Sequence, residues 1–341
     1  MSGDDTVLVW GGGAVGGTVA AYLARAGHPV TLVDRDAAHV AAINEAGLSV
    51  RGPEGDFTVR VDAVRPQQLA GRFATVLLAV KAHHTEPAAT AIGPHLAAGG
   101  AVVSLQNGLC ELTLSRVLGR EAVVGAFINF GADVTAPGAL LYGNRGAVVV
   151  GELDGAARPR TGRLAALMRH FEPEARVTDN IWGYLWGKLA YSALLKASAL
   201  CDTPLAAFIA DAELRALHVA LIGEILAVAA ADGVRPVGFN GFDPAPFAAG
   251  DREGIDRSIA AMAAFNGASA KQHSSTWQDL AVFRRRSDAA AQLAPVFATA
   301  DRHGVAVPCN RKLIELIGQV EAGRAARGAD LVAVLCRAGA A

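Results

Sequence analysis

A glycine-rich turn directly after an apolar run constrains the fold of this chain more than any other feature. The glycines have the spacing G-x-G-x-x-G, follow the apolar residues 7–10 and precede a helical stretch (18–26) and a second apolar run (30–33). In such a βαβ unit the first glycine permits a tight turn, the second admits a pyrophosphate and the third lets helix and strand pack closely. The pattern predicts a dinucleotide site at a helix N-terminus, with a ligand-free glycine turn as the alternative. The residues expected to contact the cofactor here are Gly11, Gly13, Ala14, Val15 and Gly16.

Composition is typical of an α/β enzyme. The chain has 341 residues, 52% hydrophobic and 18% charged, with a formal net charge of -1. That length favours two domains over a single core. No basic block suggests nucleic acid as a partner. The cysteines form no C-x-x-C pair and have no metal-ligand spacing, so we expect reduced thiols in a cytosol and no metal. They are Cys110, Cys201, Cys309 and Cys336.

Two segments bear on localisation. Residues 1–5 lack the positively charged region of a signal peptide. The most apolar helical stretch, 219–231, is interrupted by Glu224 and is too short to span a bilayer. We therefore expect a cytoplasmic protein without a membrane partner.

The first half of the chain alternates strands with helices. Segments 75–80 and 101–105 are β-rich, and a helical stretch from about 86 to 96 separates them. This alternation predicts a parallel, doubly wound sheet. Segments 48–50 and 57–61 flank a glycine- and proline-containing turn and are expected to form an inserted hairpin.

The second half has a different character. After further glycine-punctuated strands (123–133 and 139–150), strand signals vanish from Ile181 onward, and alanine- and leucine-rich helices follow. The sequence thus predicts an α/β chain, with a dinucleotide-binding Rossmann domain over 1–178 and a helical substrate and dimerisation domain over 179–341. Apolar surface on the second domain would support a homodimer.

The end of the second predicted strand bears on the choice of cofactor. Asp34 lies where an acidic residue accepts hydrogen bonds from the ribose hydroxyls of NAD, whereas the adjacent Arg35 could bind the 2′-phosphate of NADP. Because both residues are present, the sequence leaves the two cofactors open.

Further polar segments follow the predicted strands and begin the helical domain. Lys81 ends one strand and Gln106-Asn107-Gly108 ends the next, which places both at the carboxyl edge of a parallel sheet, where ligands bind. Trp186-Gly187-Lys188-Leu189 and His273-Ser274-Ser275-Thr276-Trp277-Gln278-Asp279 come later. With these segments in this order, the chain resembles the ketopantoate reductase family over nearly its whole length.

Members of that family reduce 2-dehydropantoate to pantoate with NADPH, a step of pantothenate biosynthesis. The resemblance implies an N-terminal Rossmann-like sheet and an all-α C-terminal domain similar to that of 6-phosphogluconate dehydrogenase. It implies NADPH as cofactor, with NADH as the alternative. Lys188 matches the catalytic lysine that donates a proton to the oxo oxygen, while Asn107 and Lys81 match residues lining the cofactor and substrate cleft. Ser275 matches a serine that helps to bind the substrate carboxylate.

A supporting carboxylate is harder to place. The family usually has a glutamate that hydrogen-bonds to substrate and lysine. Asp288 occupies the position of this glutamate when residues are counted back from His303-Gly304-Val305. Counting from Ser275 puts Ser287 at the same place. We take Asp288 as the second catalytic residue.

The chain also departs from the family pattern. Lys188, Ser192 and Lys196 are spaced i, i+4, i+8 and share one face of a helix, whereas the family commonly has asparagine at the latter two positions. Lys196 either points to solvent or helps to hold an additional acidic or polar group of a different substrate. His273 is a further candidate substrate contact.

The chemistry is coherent without the family name. Hydride addition to a carbonyl builds negative charge on oxygen, so a positioned ammonium that can also donate a proton lowers the barrier. The expected activity is NAD(P)H-dependent reduction of a small 2-oxo carboxylate to the 2-hydroxy acid. The alternatives are a dehydrogenase of another hydroxy acid, an opine-type enzyme, and a non-catalytic dinucleotide-binding redox sensor.

Overall fold

The computed structural model describes residues 6–339, so the signal-peptide argument on residues 1–5 lies outside the described residues. The chain forms two compact units. The first comprises residues up to 106 and 110–181, and the second comprises 107–109 with 182 onward. The predicted boundary at 178/179 lies close to this division at 181/182.

The first unit is built on twelve strands. They are β1 (Val7–Trp10), β2 (Val30–Val33), β3 (Leu48–Arg51), β4 (Phe57–Val59), β5 (Asp62–Val64), β6 (Phe73–Leu78), β7 (Leu96–Ser104), β8 (Val123–Ile128), β9 (Gly131–Ala136), β10 (Ala139–Asn144), β11 (Val148–Glu152) and β12 (Arg176–Val177). Eight of them form one sheet in the order β12-β11-β8-β7-β6-β1-β2-β5, and β4-β3-β10-β9 form a second sheet.

The large sheet is mainly parallel, as predicted. β1 pairs in parallel with β2 on one side and with β6 on the other, whereas β11 runs antiparallel to β8. All four residues of β1 are buried, which explains its unbroken apolar run, because helices cover both faces of a parallel sheet. The inserted hairpin is confirmed as the antiparallel pair β3–β4, which lies in the second sheet.

Five helices belong to the first unit: α1 (Ala14–Arg25), α2 (Ala37–Ala46), α3 (Thr85–Ile92), α4 (Cys110–Leu118) and α5 (Pro159–Met168). The first begins at Ala14, directly after Gly13, so it starts four residues earlier than the sequence pattern indicated. That earlier start matters because it brings the helix N-terminus into the glycine turn.

The second unit is helical, as predicted. Its helices are α6 (Ile181–Ala197), α7 (Leu205–Ala210), α8 (Arg215–Ala231), α9 (Pro244–Ala249), α10 (Arg252–Gly267), α11 (Ser275–Trp277), α12 (Ala289–His303), α13 (Pro308–Glu321) and α14 (Ala329–Gly339). A π-helical turn, Gln278–Val282, follows α11.

One helical stretch corrects the sequence argument on membranes. Ala212–Ala231, which is α8 with the turn before it, has 20 residues and is long and apolar enough to cross a bilayer by length and composition alone. The expectation that it is too short was therefore wrong. Core helices of soluble proteins pass the same test, and α8 packs against α9, α12, α13 and α14.

Candidate active site

The glycine loop, Gly11–Gly16, lies where the chain leaves β1. β2 and β6 flank β1 on opposite sides, so the loop stands at a topological switch point, the usual ligand position in open α/β sheets. Gly11 has φ +107°, and a Cβ added to it would lie 3.0 Å from the carbonyl carbon of Ala79. Only glycine fits this turn without strain.

Two other glycines of the loop have contrasting surroundings. A Cβ on Gly16 would lie 2.0 Å from the Gly11 carbonyl oxygen and 2.8 Å from the Ala79 Cβ, whereas a Cβ on Gly13 would meet nothing within 4 Å. Gly13 is also the N-cap of α1, and no side chain caps this end of the helix. Open space beside the first amides of a helix fits a pyrophosphate.

Asp34 is fixed at the edge of the glycine loop. Its Oδ2 accepts a hydrogen bond from Gly12 N at 2.7 Å, and its Oδ1 accepts one from Asp36 N at 2.9 Å. Each carboxylate oxygen keeps a free lone pair for a ribose hydroxyl. Arg35 is exposed beside it. Both predicted cofactor residues therefore lie at the carboxyl end of β2.

A buried histidine that sequence reasoning missed supports the loop. His39 Nε2 donates to the Gly12 carbonyl oxygen at 2.9 Å, and its Nδ1 accepts from Gly138 N at 3.0 Å. The backbone N–H can only donate, which assigns the ring proton to Nε2. A lone histidine in α2 carries no signal for this role, because its partner Gly138 lies 99 residues away.

The two strand ends beside the loop differ slightly from expectation. β6 ends at Leu78, so Lys81 does not end the strand as predicted but follows it and precedes a 3-10 turn, Ala82–His84. Gln106, after β7, donates through Nε2 to the Val80 carbonyl at 2.8 Å and to the Thr85 hydroxyl at 2.9 Å. These bonds hold the segment of Lys81 beside the end of β7.

Asn107 belongs by its contacts to the second unit. The segment Asn107–Leu109 groups with the helical residues rather than with the sheet it follows. Gly108 has φ +96°, and a Cβ on it would lie 3.3 Å from the Cα of Gln292. The segment therefore packs closely against α12.

One face of α6 carries the three predicted polar residues. Lys188 and Ser192 are half-buried on a helix whose other residues are mostly buried, such as Leu185, Trp186 and Leu189. Lys196 is only 2% exposed. The reading in which Lys196 points to solvent is therefore wrong.

The Lys196 ammonium connects α6 to α12. It donates to the Ser192 hydroxyl at 2.8 Å and to the Gln292 side-chain carbonyl at 2.8 Å. Ser192 in turn donates to the Leu189 carbonyl oxygen at 3.0 Å. Burial lowers the pKa of Lys196 to about 8, although the nearby Asp288 carboxylate acts in the opposite direction. Gln292 was missed, although its i, i+4 spacing from Asp288 would have suggested a shared face.

The π-helical turn, Gln278–Val282, lies between Ser275 and the two neighbouring residues Ser287 and Asp288, on which two counts along the sequence disagreed. The Ser287 hydroxyl donates to Glu321 at 2.7 Å and accepts from Ala289 N at 3.3 Å, so it is already engaged in hydrogen bonds within the protein. Asp288 is close enough to Lys196 to influence its pKa. The choice of Asp288 as the supporting carboxylate stays a prediction.

The segment of His273 and Ser275 starts α11. The His273 ring stacks on Trp277 with ring centroids 4.0 Å apart, and Trp277 donates to Asp202 at 3.0 Å. Burial lowers the pKa of His273, so its ring is more often neutral than that of a free histidine. Ser275 is exposed, and its hydroxyl lies 3.4 Å from the Lys271 ammonium.

Comparison with known proteins identifies the family of this chain. The family model "Ketopantoate reductase PanE/ApbA" matches residues 7–155, and the model of its C-terminal domain matches 180–321. The chain belongs to the ketopantoate reductase family. A 2-dehydropantoate 2-reductase of Mesorhizobium japonicum is 31% identical over 258 residues, covering 68% of this chain and 78% of that protein.

Solved structures agree on the fold. A ketopantoate reductase of this family from Ralstonia eutropha is 29% identical, with a TM-score of 0.78 over 94% of this chain and 99% of that one. D-mandelate dehydrogenase, solved with NADH and anilino(oxo)acetate, has a TM-score of 0.82 over 94% and 99% of the two chains. At 20% identity, that second likeness concerns the fold alone.

Family membership confirms the predicted enzyme class. The protein is an NAD(P)-dependent oxidoreductase acting on CH–OH groups and uses a nicotinamide cofactor. The predicted architecture, a Rossmann-like sheet followed by a helical domain, is confirmed as well.

Proposed function

We propose that this protein reduces ketopantoate or a related small 2-oxo carboxylate to the 2-hydroxy acid. The observation that carries the proposal is that Lys188 is half-buried on α6 and shares a helix face with Ser192 and Lys196. The Asp288 carboxylate acts on the pKa of Lys196. The names of the relatives, 2-dehydropantoate 2-reductases, support the same reaction.

The glycine loop fits the cofactor that this reaction needs. Gly11, Gly13 and Gly16 form its turn, and the uncapped N-terminus of α1 offers amides to the pyrophosphate. Asp34 and Arg35 would hold the adenosine ribose. When bound, the reduced nicotinamide supplies the hydride.

The residues of the second unit supply the proton and the charge. Lys188 holds a proton at Nζ and donates it to the oxo oxygen as negative charge develops there. The Asp288 carboxylate would accept a hydrogen bond from substrate or lysine and keep the ammonium oriented. Asn107, Ser192, His273 and Ser275 would bind the substrate, while Lys81 would contact the cofactor.

We propose NADPH as the preferred cofactor, with NADH accepted. The exposed Arg35 can pair with a 2′-phosphate, while Asp34 offers acceptors to an unphosphorylated ribose. Arg35→Ala should therefore raise the KM for NADPH by about tenfold, as expected for a lost charge-assisted contact, and leave the KM for NADH unchanged. An equal change for both cofactors would contradict this assignment.

We further propose that the enzyme is a cytoplasmic homodimer. Apolar side chains such as Val282 and Phe283 are exposed on the second unit and could contribute to an interface. Sedimentation of the purified protein would give a monomer mass if the dimer proposal is wrong.

The direct test is to incubate the protein with ketopantoate and follow oxidation of NADPH and NADH in parallel. Turnover that needs Lys188 supports the proposal. Cofactor binding without turnover on ketopantoate or any other 2-oxo acid would instead favour an opine-type enzyme or a redox sensor. A sensor would bind cofactor and keep its signalling output after Lys188→Ala, whereas the enzyme would lose turnover.

A further inference from the structure

Lys196 has an unsatisfied donor in a buried place. An ammonium carries three N–H donors, and within residues 6–339 two oxygens accept from it, those of Ser192 and Gln292. Its side chain is 2% exposed. A buried charged donor without an acceptor is costly, so a third acceptor is expected at this position.

The charge of Lys196 is also incompletely balanced. Both of its hydrogen-bond partners are neutral groups, a hydroxyl and an amide. The charged group that acts on its pKa is Asp288, at the start of α12. A buried cation is stabilised by an anionic partner with direct hydrogen bonds. The missing acceptor is therefore best supplied by an anion.

A ligand can approach Lys196 along α6. Ser192 is half-buried, and its hydroxyl lies 2.8 Å from the Lys196 Nζ, so a group that contacts Ser192 is also near the ammonium. Ser192 lies one turn beyond Lys188, which is roughly 6 Å along the helix axis. One small molecule can therefore contact the Lys188 and Ser192 positions together.

We infer that the Lys196 ammonium binds a second carboxylate at the far end of the substrate, which makes the preferred substrate a 2-oxo dicarboxylic acid. This inference rests on the proposed function, because it requires Lys188 to face the oxo group. The third N–H of Lys196 donates to a carboxylate oxygen, and no covalent bond changes there. The resemblance to the family implies that asparagine is common at this position, so the preference would distinguish this chain from such members.

The ionisation of Lys196 makes the preference depend on pH. Below its pKa of about 8 the ammonium is charged and attracts the second carboxylate, and above it the attraction is lost.

The test compares matched substrates by kcat/KM at pH 7. 2-Oxoglutarate and 2-oxoadipate are paired with 2-oxopentanoate and 2-oxohexanoate, which lack the second carboxylate. In the native enzyme the dicarboxylate should be favoured by about tenfold or more, and Lys196→Met should reduce this ratio by about tenfold. Lys312→Met, which removes a surface lysine paired with Glu315, is the matched control and should leave the ratio unchanged.

The ratio of kcat/KM for the two substrates of a pair separates a change in specificity from a loss of folded protein, because the folded fraction affects both substrates equally. If Lys196→Met does not fold, the native enzyme still tests the inference, since its ratio must fall as pH rises from 7 to 9. A native ratio near one, or a ratio that neither pH nor Lys196→Met changes, overturns the inference and indicates that water satisfies the third N–H. Reduction of monocarboxylates alone overturns this inference but leaves the proposed function standing, whereas no reduction of any 2-oxo acid overturns both.

Discussion

The glycine loop of the first unit and the polar face of α6 in the second unit are specified in different ways. The loop depends on the absence of side chains. A Cβ on Gly11 would lie 3.0 Å from the nearest backbone atom, and a Cβ on Gly16 would lie 2.0 Å from its nearest backbone atom. The α6 face depends on particular polar side chains, since Ser192, Lys196 and Gln292 are joined by hydrogen bonds.

The difference shows how each site can change in evolution. A loop defined by backbone clearance tolerates few substitutions and binds the part of the cofactor common to many enzymes. A helix face defined by side chains can exchange one polar group for another while the helix stays in place. We therefore expect cofactor binding to be set in the loop, and substrate choice and proton transfer on α6.

The largest predicted effect tests the second half of that comparison. Lys188→Met should lower kcat by about 10²–10⁴-fold, the usual contribution of a general acid, while cofactor affinity stays within about twofold. Steady-state kinetics and cofactor titration measure the two quantities. The control Lys312→Met should leave both unchanged. Full turnover in Lys188→Met would remove the proposed proton donor.

Gly16→Ala tests the first half. The new Cβ would clash with the Gly11 carbonyl, so we expect a loss of about 3 kcal/mol in unfolding free energy and loss of cofactor binding. Gly13→Ala should change stability by no more than about 1 kcal/mol yet still weaken cofactor binding, because its Cβ enters the open space beside the α1 amides.

The matched control for these two variants lies in α5. Gly162 is exposed in the helix with nothing within 4 Å of an added Cβ, so Gly162→Ala should stabilise the protein by about 0.5–1 kcal/mol. Denaturant unfolding gives all three values. Equal stability of Gly16→Ala and Gly162→Ala would show that clearance does not define the loop.

Two buried histidines, one in each unit, differ in how they affect the unfolding free energy. Unlike His39, His218 in α8 has no hydrogen-bond partner at either ring nitrogen among the described residues, and burial lowers its pKa to about 4. The folded state therefore favours neutral His218. Its stabilising contribution is present above the unfolded pKa of about 6.5 and is lost as pH falls toward 4, by up to about 3 kcal/mol.

His218→Phe should abolish this acid sensitivity, because a neutral ring beside Phe208 needs no proton. Unfolding free energies measured between pH 4 and pH 7 test it, with the native protein losing stability and the variant losing less. If the two curves are parallel, His218 does not titrate as its burial implies.

The smallest effect concerns His39. His39→Phe removes the donor to Gly12 and the acceptor of Gly138, which should cost about 1–3 kcal/mol and weaken cofactor binding a few-fold. Exposed His303→Phe is the control, with little change expected in either quantity. Unchanged cofactor affinity in His39→Phe would mean that the loop needs no support from α2.

The sequence was a better guide to the first site than to the second, for a physical reason. Gly11, Gly13 and Gly16 are local features whose spacing follows from backbone geometry, so they could be recognised before any tertiary contact was known. His39 could not, because its role depends on Gly138 in a distant turn.

On α6, helical spacing correctly predicted that Lys188, Ser192 and Lys196 lie on one face of a helix. It could not predict that Lys196 is buried against Gln292, since that depends on how α12 packs. The sequence could not decide between Asp288 and Ser287 either, because the hydrogen bond of Ser287 depends on Glu321, which lies 34 residues away.

The central claim is that the glycine loop binds the cofactor while Lys188 performs proton transfer. It is tested most directly by measuring turnover against cofactor concentration in Gly13→Ala and Lys188→Met. The account predicts that saturating cofactor restores turnover in Gly13→Ala and leaves Lys188→Met impaired. Restoration of Lys188→Met by cofactor alone, with Gly13→Ala still impaired at saturation, would contradict it.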